Sequence, residues 1–352
     1  MSELFEPFEN GRLRLRSRLV MAPMSRAFCP DGVPTPAVGE YYARRARHQV
    51  GLIISEGTYI DHPLASGYAN CPDCFGEPAL AGWRSVVDAV HAEGASMFPQ
   101  LWHVGSHRRA GFAPASYLNP LSGGVEPTHA MTETDIADII ASFARAAAVA
   151  QRLGFDGVEI QGAHGYLVDE FLWSKANTRT DRYGGAVAAR TRFAAEIIQA
   201  MRRAVGPQFP IALRLSQYKL QDHDASIVRD ANEVEQLVAP LVDAGLTLLD
   251  IAARTVSQPA FADSPRTLAG WFRNLSGLPV IANGAVGLDR PGQRDAGLAP
   301  LDAVHELLAR DEVDLIAVGR GLLADPEWGS KVRDGRLTER RGFVAEMRGR
   351  LE

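Results

Sequence analysis

Eight short apolar segments, each separated from the next by a stretch of helical period, constrain this 352-residue chain more than any other feature. The segments lie at residues 19–22, 51–56, 96–102, 157–161, 211–216, 247–252, 279–282 and 314–319. Their lengths and β-branched content read as strands buried on both faces. Helical period fills residues 38–49, 79–92, 135–153, 191–205, 231–244 and 301–309, with a weaker segment at 268–275. The clearest is 135–153, where Ile136, Ile139, Ile140, Phe143, Ala147 and Ala150 share one face behind a Thr132/Thr134 cap. Strict strand–helix alternation with right-handed crossovers gives a parallel sheet, and eight repeats close it. The expected fold is therefore α/β, a (β/α)8 TIM barrel. Residues 5–16, with Asn10-Gly11 between alternating apolar positions, add an N-terminal β-hairpin. The longer connections, 104–131, 217–230 and 253–267, all follow strands and belong to the rim where barrel active sites lie.

No linker-like change of composition divides the chain, so one barrel domain over residues 1–352 is expected. A formal charge of −5 and a pI near 6.0 give no basic footprint for a nucleic-acid partner. No apolar run reaches the ~20 residues that a membrane span needs. The acidic N-terminus, broken by Pro7 and Gly11, is no signal peptide, so a cytoplasmic location is expected. The sequence leaves a homo-oligomer open. Of three cysteines, Cys71 and Cys74 form a lone C-x-x-C without a partner pair at zinc spacing. A plain pair of thiols in a surface loop is the expectation.

The strand ends carry the chemistry. The seventh and eighth end in Asn283-Gly284-Ala285 and Gly319-Arg320-Gly321. Neighbouring glycine turns at these barrel positions hold phosphate through backbone N–H groups, and Arg320 adds charge. The bland alternative is that the glycines only shape tight turns. No G-x-G-x-x-G follows a strand, so a mononucleotide fits better than a Rossmann-bound dinucleotide. Arg214, in the middle of the apolar fifth strand, is too costly to bury without an anion. Alternation sends it away from Leu213 and Leu215, towards the barrel mouth. A structural ion pair is the competing explanation.

The fourth strand opens the most informative stretch, 154–183, where Gln161, His164, Tyr166 and Asp169 crowd a glycine-punctuated loop. Val158-Glu159-Ile160-Gln161-Gly162-Ala163-His164-Gly165-Tyr166-Leu167, followed by Asn177-Thr178-Arg179-Thr180-Asp181-Arg182-Tyr183-Gly184-Gly185, resembles the fourth-strand motif of the old yellow enzyme family. The departure is Gln161, which stands where that family has His. The resemblance implies FMN as bound cofactor and NADPH or NADH as transient reductant. The acceptor is then a small-molecule electrophilic alkene, such as an α,β-unsaturated carbonyl compound, or a quinone or nitro compound. Gln161 and His164 would polarise the carbonyl and Tyr166 would protonate the α-carbon. An oxidative dehydrogenase or demethylase on a cyclic or amine substrate, and a flavin protein of little turnover, are the alternatives.

By the same resemblance, Pro23 and Met24 line the flavin and the Ser25 hydroxyl reaches its O4/N5 edge. Gly57 lets a planar ring approach the backbone, and the amide of Gln100 suits the pyrimidine edge. Arg214 faces N1 and C2=O. Trp102 is a pocket wall or a core residue, His103 a structural histidine at the rim. Arg108 and Arg109 could meet a 2′-phosphate but are more ordinary as solvated surface. An amide cannot become cationic. Replacing a charge-assisted bond of ~1.5–3 kcal/mol by one of ~1 would cost up to about 2 kcal/mol, roughly 30-fold.

Overall fold

The structure, a computed structural model, describes residues 3–11, 13–108, 111–116, 128–287 and 301–352. A closed, all-parallel barrel of eight strands forms its centre. The strands are Leu19–Met21, Leu52–Tyr59, Ser96–Trp102, Val158–His164, Ile211–Lys219, Leu248–Ala252, Val280–Asn283 and Leu315–Val318. Each pairs with the next in the chain, and the eighth closes on the first through Ile316 opposite Leu19. The expected (β/α)8 order is therefore the observed one. The second, fourth and fifth strands run beyond their expected ends, where register shifts between Ile54 and Gly57 and between Gly162 and His164 prolong pairing towards the rim.

Helices Pro36–Arg47, Glu77–Ala92, Glu133–Leu153, Val187–Val205, Ala231–Asp243, Leu268–Ser276 and Leu301–Ala309 wrap the barrel. Thr132 caps the third by accepting from the Asp135 N–H, while Asp135 answers at the Thr132 N–H, a reciprocal pair. Three short helices, Leu167–Leu172, Arg320–Ala324 and Trp328–Arg333, are too brief to show a period and were not expected. Among the described residues, no helix is long and apolar enough to cross a membrane.

The barrel interior is layered. Strand alternation turns Val20, Leu52, Ile54, Phe98, Ala212, Leu248, Ile281 and Leu315 inward as one apolar cluster. Phe8, Leu13 and Leu15 of the N-terminal hairpin belong to the same cluster and plug the lower end. That hairpin pairs Phe8–Glu9 with Arg14–Leu15, shorter than expected because Glu3–Phe5 is a 3-10 turn. One step up each strand the inward positions become polar: Gln100, Glu159, Arg214 and Asp250. The sealed bottom and polar upper layer leave the C-terminal mouth as the place for chemistry.

The Cys71-Pro72-Asp73-Cys74 segment corrects an expectation. It is no surface loop: Cys71 is 4% and Cys74 2% exposed. Its backbone pairs with the edge of the second strand, Tyr59 N–H donating to Pro72 and Cys74 N–H to Tyr59, which buries both thiols.

Gly57 stands against a ring of the protein itself. The ring that needs its missing side chain is Trp102, because a Cβ on Gly57 would stand 2.4 Å from Trp102 Cε3. Trp102 is itself stacked on Tyr59 and Tyr68, with centroids 5.0 and 5.5 Å away. Gly57→Ala is therefore expected to destabilise the protein by about 1–3 kcal/mol through overpacking. A urea titration with unchanged slope checks it, and a loss under about 0.5 kcal/mol would show that Trp102 moves freely.

Candidate active site

The upper polar layer is built by register. Gln161, Arg214 and Asp250 stand opposite one another on the fourth, fifth and sixth strands. Arg214 forms an ion pair with Asp250, and both are buried. Gln100, opposite Glu159, donates from Nε2 to Glu159 Oε1 at 2.8 Å and accepts from Gln161 Nε2 at 3.3 Å. The Gln161 side-chain Oε1 accepts from Ala163 N–H at 3.1 Å, which folds the side chain back along its own strand. Burial pushes the Glu159 carboxyl well up, aided by the charge of Asp250 and opposed by Arg214. Asp250 is pushed up by burial too, against the pull of Arg214. One guanidinium beside two buried carboxyls leaves a proton on the pair.

Gln100 is engaged at both ends of its amide within the layer, with one N–H and one lone pair left over. Arg214 has the ion-pair partner that its burial cost required, and still reaches the mouth. There it lines a cavity of about 200 Å3 together with Pro23, Met24, Gly284, Ala285, Gly319 and Arg320. Ser25 lies outside that cavity and is exposed to solvent.

The cavity has an anion end. Arg320 and Arg254 both line it, and neither makes a hydrogen bond or ion pair with the described residues. Beside them Asn283 Nδ2 is buried with no partner among the described residues. Gly284 is obligatory, since a Cβ there would stand 2.7 Å from the Val256 nitrogen and 2.8 Å from the Ala253 oxygen. Ala285 follows in the left-handed region at φ 53°. Behind the Arg320 turn, buried Arg45 donates to the carbonyls of Leu322 and Leu323 at 3.1 and 3.3 Å and lies 3.7 Å over the Tyr41 ring. Two cations and an amide donor without partners among the described residues, with a Gly turn, suit a phosphate with a polar chain, and Arg214 suits a ring edge. These residues fit FMN.

Around the fourth-strand loop, His164 takes φ 63°, a strained backbone for a residue with a side chain. Its backbone N–H leaves the strand ladder and donates to Ser216 Oγ at 2.7 Å. The imidazole lies 5.1 Å from the ring of Tyr218, itself a cavity wall, and its Nδ1 is buried without a partner among the described residues. Burial, then the cations Arg214 and Lys219, hold its pKa well below the ordinary value, so the ring is neutral. A buried pair fixes the loop from below: Lys219 Nζ meets Asp169 Oδ1 at 2.5 Å, and Asp169 Oδ2 accepts from Gly165 N–H at 2.7 Å. Tyr166 is half-buried, edge-on to Trp102 at 4.9 Å. Burial raises its pKa first, and the neighbouring Tyr68 adds to this.

Several participants escaped the sequence reading. Glu159 and Asp250 sit in apolar strands, and the burial argument used for Arg214 applies equally to them. Arg254, Tyr218, Tyr68 and His107 lie at strand ends and on loops, where no periodicity marks them. His103 is buried, its Nδ1 accepting from Gly105 N–H at 3.1 Å, while Nε2 lacks a partner among the described residues. Arg108 donates to the carbonyls of Pro63 and Ser66 at 3.2 and 2.9 Å, a loop tie. Arg109 lies outside the described residues.

Residues 3–339 match the sequence model of the NADH:flavin oxidoreductase / NADH oxidase family. The chain belongs to this family. It is an FMN-dependent NAD(P)H oxidoreductase of the ene-reductase type. It is 34% identical to 12-oxophytodienoate reductase 7 of Oryza sativa, over 94% of this chain and 87% of that protein. It is 33% identical to an NADH oxidase of Thermoanaerobacter brockii over 97% of this chain, but spans only 52% of that longer protein. Among solved structures, an old yellow enzyme homologue from Zymomonas mobilis superposes with a TM-score of 0.82 at 26% identity, covering 98% of this chain and 96% of that one. Morphinone reductase in complex with tetrahydroNAD gives 0.81 at 28% identity, covering 98% and 93%.

The Ala22–Arg26 turn of this oxidoreductase rests on Glu56, whose Oε2 accepts from Arg26 and Ala27 N–H at 2.8 and 2.9 Å. Burial raises that carboxyl to about 7, against the pull of those two N–H groups and Arg26. A raised carboxyl stabilises the fold fully below its unfolded value, and this contribution disappears as pH climbs through about 7. Glu56→Gln should therefore flatten the fall in Tm between about pH 4.5 and 7.5, a difference on the order of 3 kcal/mol. Parallel wild-type and variant melts measure it, and identical slopes would place Glu56 outside the titration.

Proposed function

We propose that residues 1–352 act as one FMN-binding barrel domain, in a cytoplasmic setting, that reduces activated C=C bonds of α,β-unsaturated carbonyl compounds. The carrying observation is that His164, whose Nδ1 has no partner among the described residues, packs 5.1 Å from the ring of Tyr218, and Tyr218 lines the same cavity as Arg214 and Arg320. A buried unpaired ring nitrogen at a strained residue is a place for a ligand atom.

When bound, FMN supplies the two-electron store that takes hydride from NAD(P)H and passes it to the alkene. Arg320, Arg254 and the Gly284–Ala285 and Gly319 backbone would hold its phosphate, and Pro23, Met24 and Arg214, which line the same cavity, would meet its ring. His164 and Gln161 orient the substrate carbonyl by hydrogen bonds. Tyr166, kept protonated by burial, gives a proton to the α-carbon.

Both carbonyl partners are neutral, and this changes the weight of Gln161. A histidine in its place would stand opposite Arg214 and gain little by protonation. Gln161→His is therefore expected to alter the rate of reoxidation by cyclohexenone by less than about tenfold, the ~1 kcal/mol that separates two neutral hydrogen bonds. Anaerobic stopped-flow mixing of the NADPH-reduced enzyme with enone, maleimide and quinone acceptors gives the number. A gain of about 30-fold would show that a cationic imidazole is what this site lacks. Wild-type flavin that none of these acceptors reoxidises would end the ene-reductase assignment.

A further inference from the structure

Beyond the cavity, Tyr166 touches a second aromatic group that the assigned chemistry does not use. His107, at the end of the Gly105–His107 turn, is 4% exposed, and its ring centroid is 4.4 Å from that of Tyr166. Its Nε2 meets the Gly165 carbonyl at 3.0 Å and its Nδ1 meets Tyr68 Oη at 3.3 Å. Tyr68 and Tyr166 both pack against Trp102, with centroids 5.5 and 4.9 Å away, and Tyr68 is 42% exposed.

These contacts dictate proton positions. A carbonyl only accepts, so Nε2 carries the hydrogen and Nδ1 presents a lone pair. Tyr68 must then be the donor to Nδ1, which leaves a lone pair on its oxygen and does not engage the Tyr166 proton. Burial lowers the His107 pKa to about 4, so the ring keeps this single-proton form at neutral pH.

The turn is built to stay in place. Glu170 receives Ser106 N–H at 3.3 Å and the Ser106 hydroxyl. Glu170 rides on the helix Leu167–Leu172, whose N-cap is Tyr166 itself. The Tyr68 backbone is tied to the Tyr59 hydroxyl, Tyr68 N–H donating at 2.9 Å and its carbonyl accepting at 3.1 Å. The three rings therefore share one rigid frame.

We propose that His107 is a positioning residue that, through Tyr68, keeps Tyr166 poised as the acid and connects it to solvent. The inference rests on Tyr166 as proton donor. In the step, the Tyr166 O–H bond breaks and a C–H bond forms at the α-carbon, leaving the electron pair on the phenol oxygen. The Tyr68 proton then swings from Nδ1 to that oxygen, and Tyr68 takes a proton from water at its exposed edge. One solvent proton enters the product, and the chain returns to its starting state.

The test compares His107→Phe, His107→Asn, Tyr68→Phe, the double variant combining His107→Phe with Tyr68→Phe, and Tyr166→Phe in stopped flow on the FMN-loaded enzyme. His107→Phe should slow reoxidation by cyclohexenone about tenfold. Reduction by NADPH, and reoxidation by benzoquinone, whose oxygens take protons from water, should stay within about twofold. Asn, with an acceptor near the Nδ1 position, should restore most of the loss. Tyr68→Phe should match His107→Phe, and the double variant should add nothing. Independently of turnover, 15N-histidine NMR should show Nε2–H and a bare Nδ1 on His107, with the Nδ1 resonance moving in Tyr68→Phe. Equal slowing of all three reactions, an unchanged enone rate in His107→Phe, or a protonated Nδ1 would overturn the proposal. A slow Tyr166→Phe beside a normal His107→Phe defeats this inference alone, whereas a normal Tyr166→Phe defeats the assignment of the acid as well.

Discussion

The arginine at position 214 is the constraint from which the rest of the mouth follows. A guanidinium inside a barrel demands a carboxylate, and Asp250 on the adjoining strand supplies it at the same register. Removing one member of such a buried pair typically costs about 3–5 kcal/mol, because the survivor is left charged and dry. Glu159 beneath adds a second acid, so the layer keeps a proton and uses Gln100 to link it to Gln161. The result is a polar sheet of side chains lying on an apolar floor. Through Arg214 its upper side reaches the cavity proposed for the cofactor, and its lower side is sealed by Phe8, Leu13 and Leu15.

That layer also sets the electrostatics of the carbonyl partners. Arg214 and Lys219 are the cations that depress His164 after burial has done so. The site therefore cannot have both a strong positive edge for a reduced ring and a protonated imidazole a few ångströms away. It has the former. Under this condition an amide at position 161 loses little against an imidazole, and Gln161 becomes intelligible as a local solution rather than a defect. The same reasoning explains why Gln161 is fastened to Gln100 and Ala163: an oriented neutral dipole acts only as well as it is held.

The barrel was legible because eight buried strands are periodic and apolar, and the first turn of the helix Glu133–Leu153 declared itself by its cap. Arg214 was legible by cost. Asp250, inside Leu248–Ala252, and Glu159, inside Val158–His164, carried the same signal, and the pairing of strands five and six followed from chain order. What the sequence could not supply was direction within loops. Ser25 faces solvent although it adjoins the cavity residues Pro23 and Met24. Buried Cys71 and Cys74 looked like surface because an isolated bridge to Tyr59 leaves no periodic trace.

Loops are also where this chain acquires its individuality. The barrel fixes Arg214, Gln161 and Gly284 through strand register, which tolerates little change. Tyr68, His107 and Arg254 come from segments whose only requirement is to return to the next helix. Yet the first two are not loosely held: Tyr68 is bound to the Tyr59 hydroxyl, and the turn carrying His107 to Glu170. Fixing a phenol costs side-chain freedom that a mere pocket wall has no need to give up. A frame of this rigidity around Tyr166 suits a group that must present one proton in one direction at each turnover, with Trp102 closing it from the side.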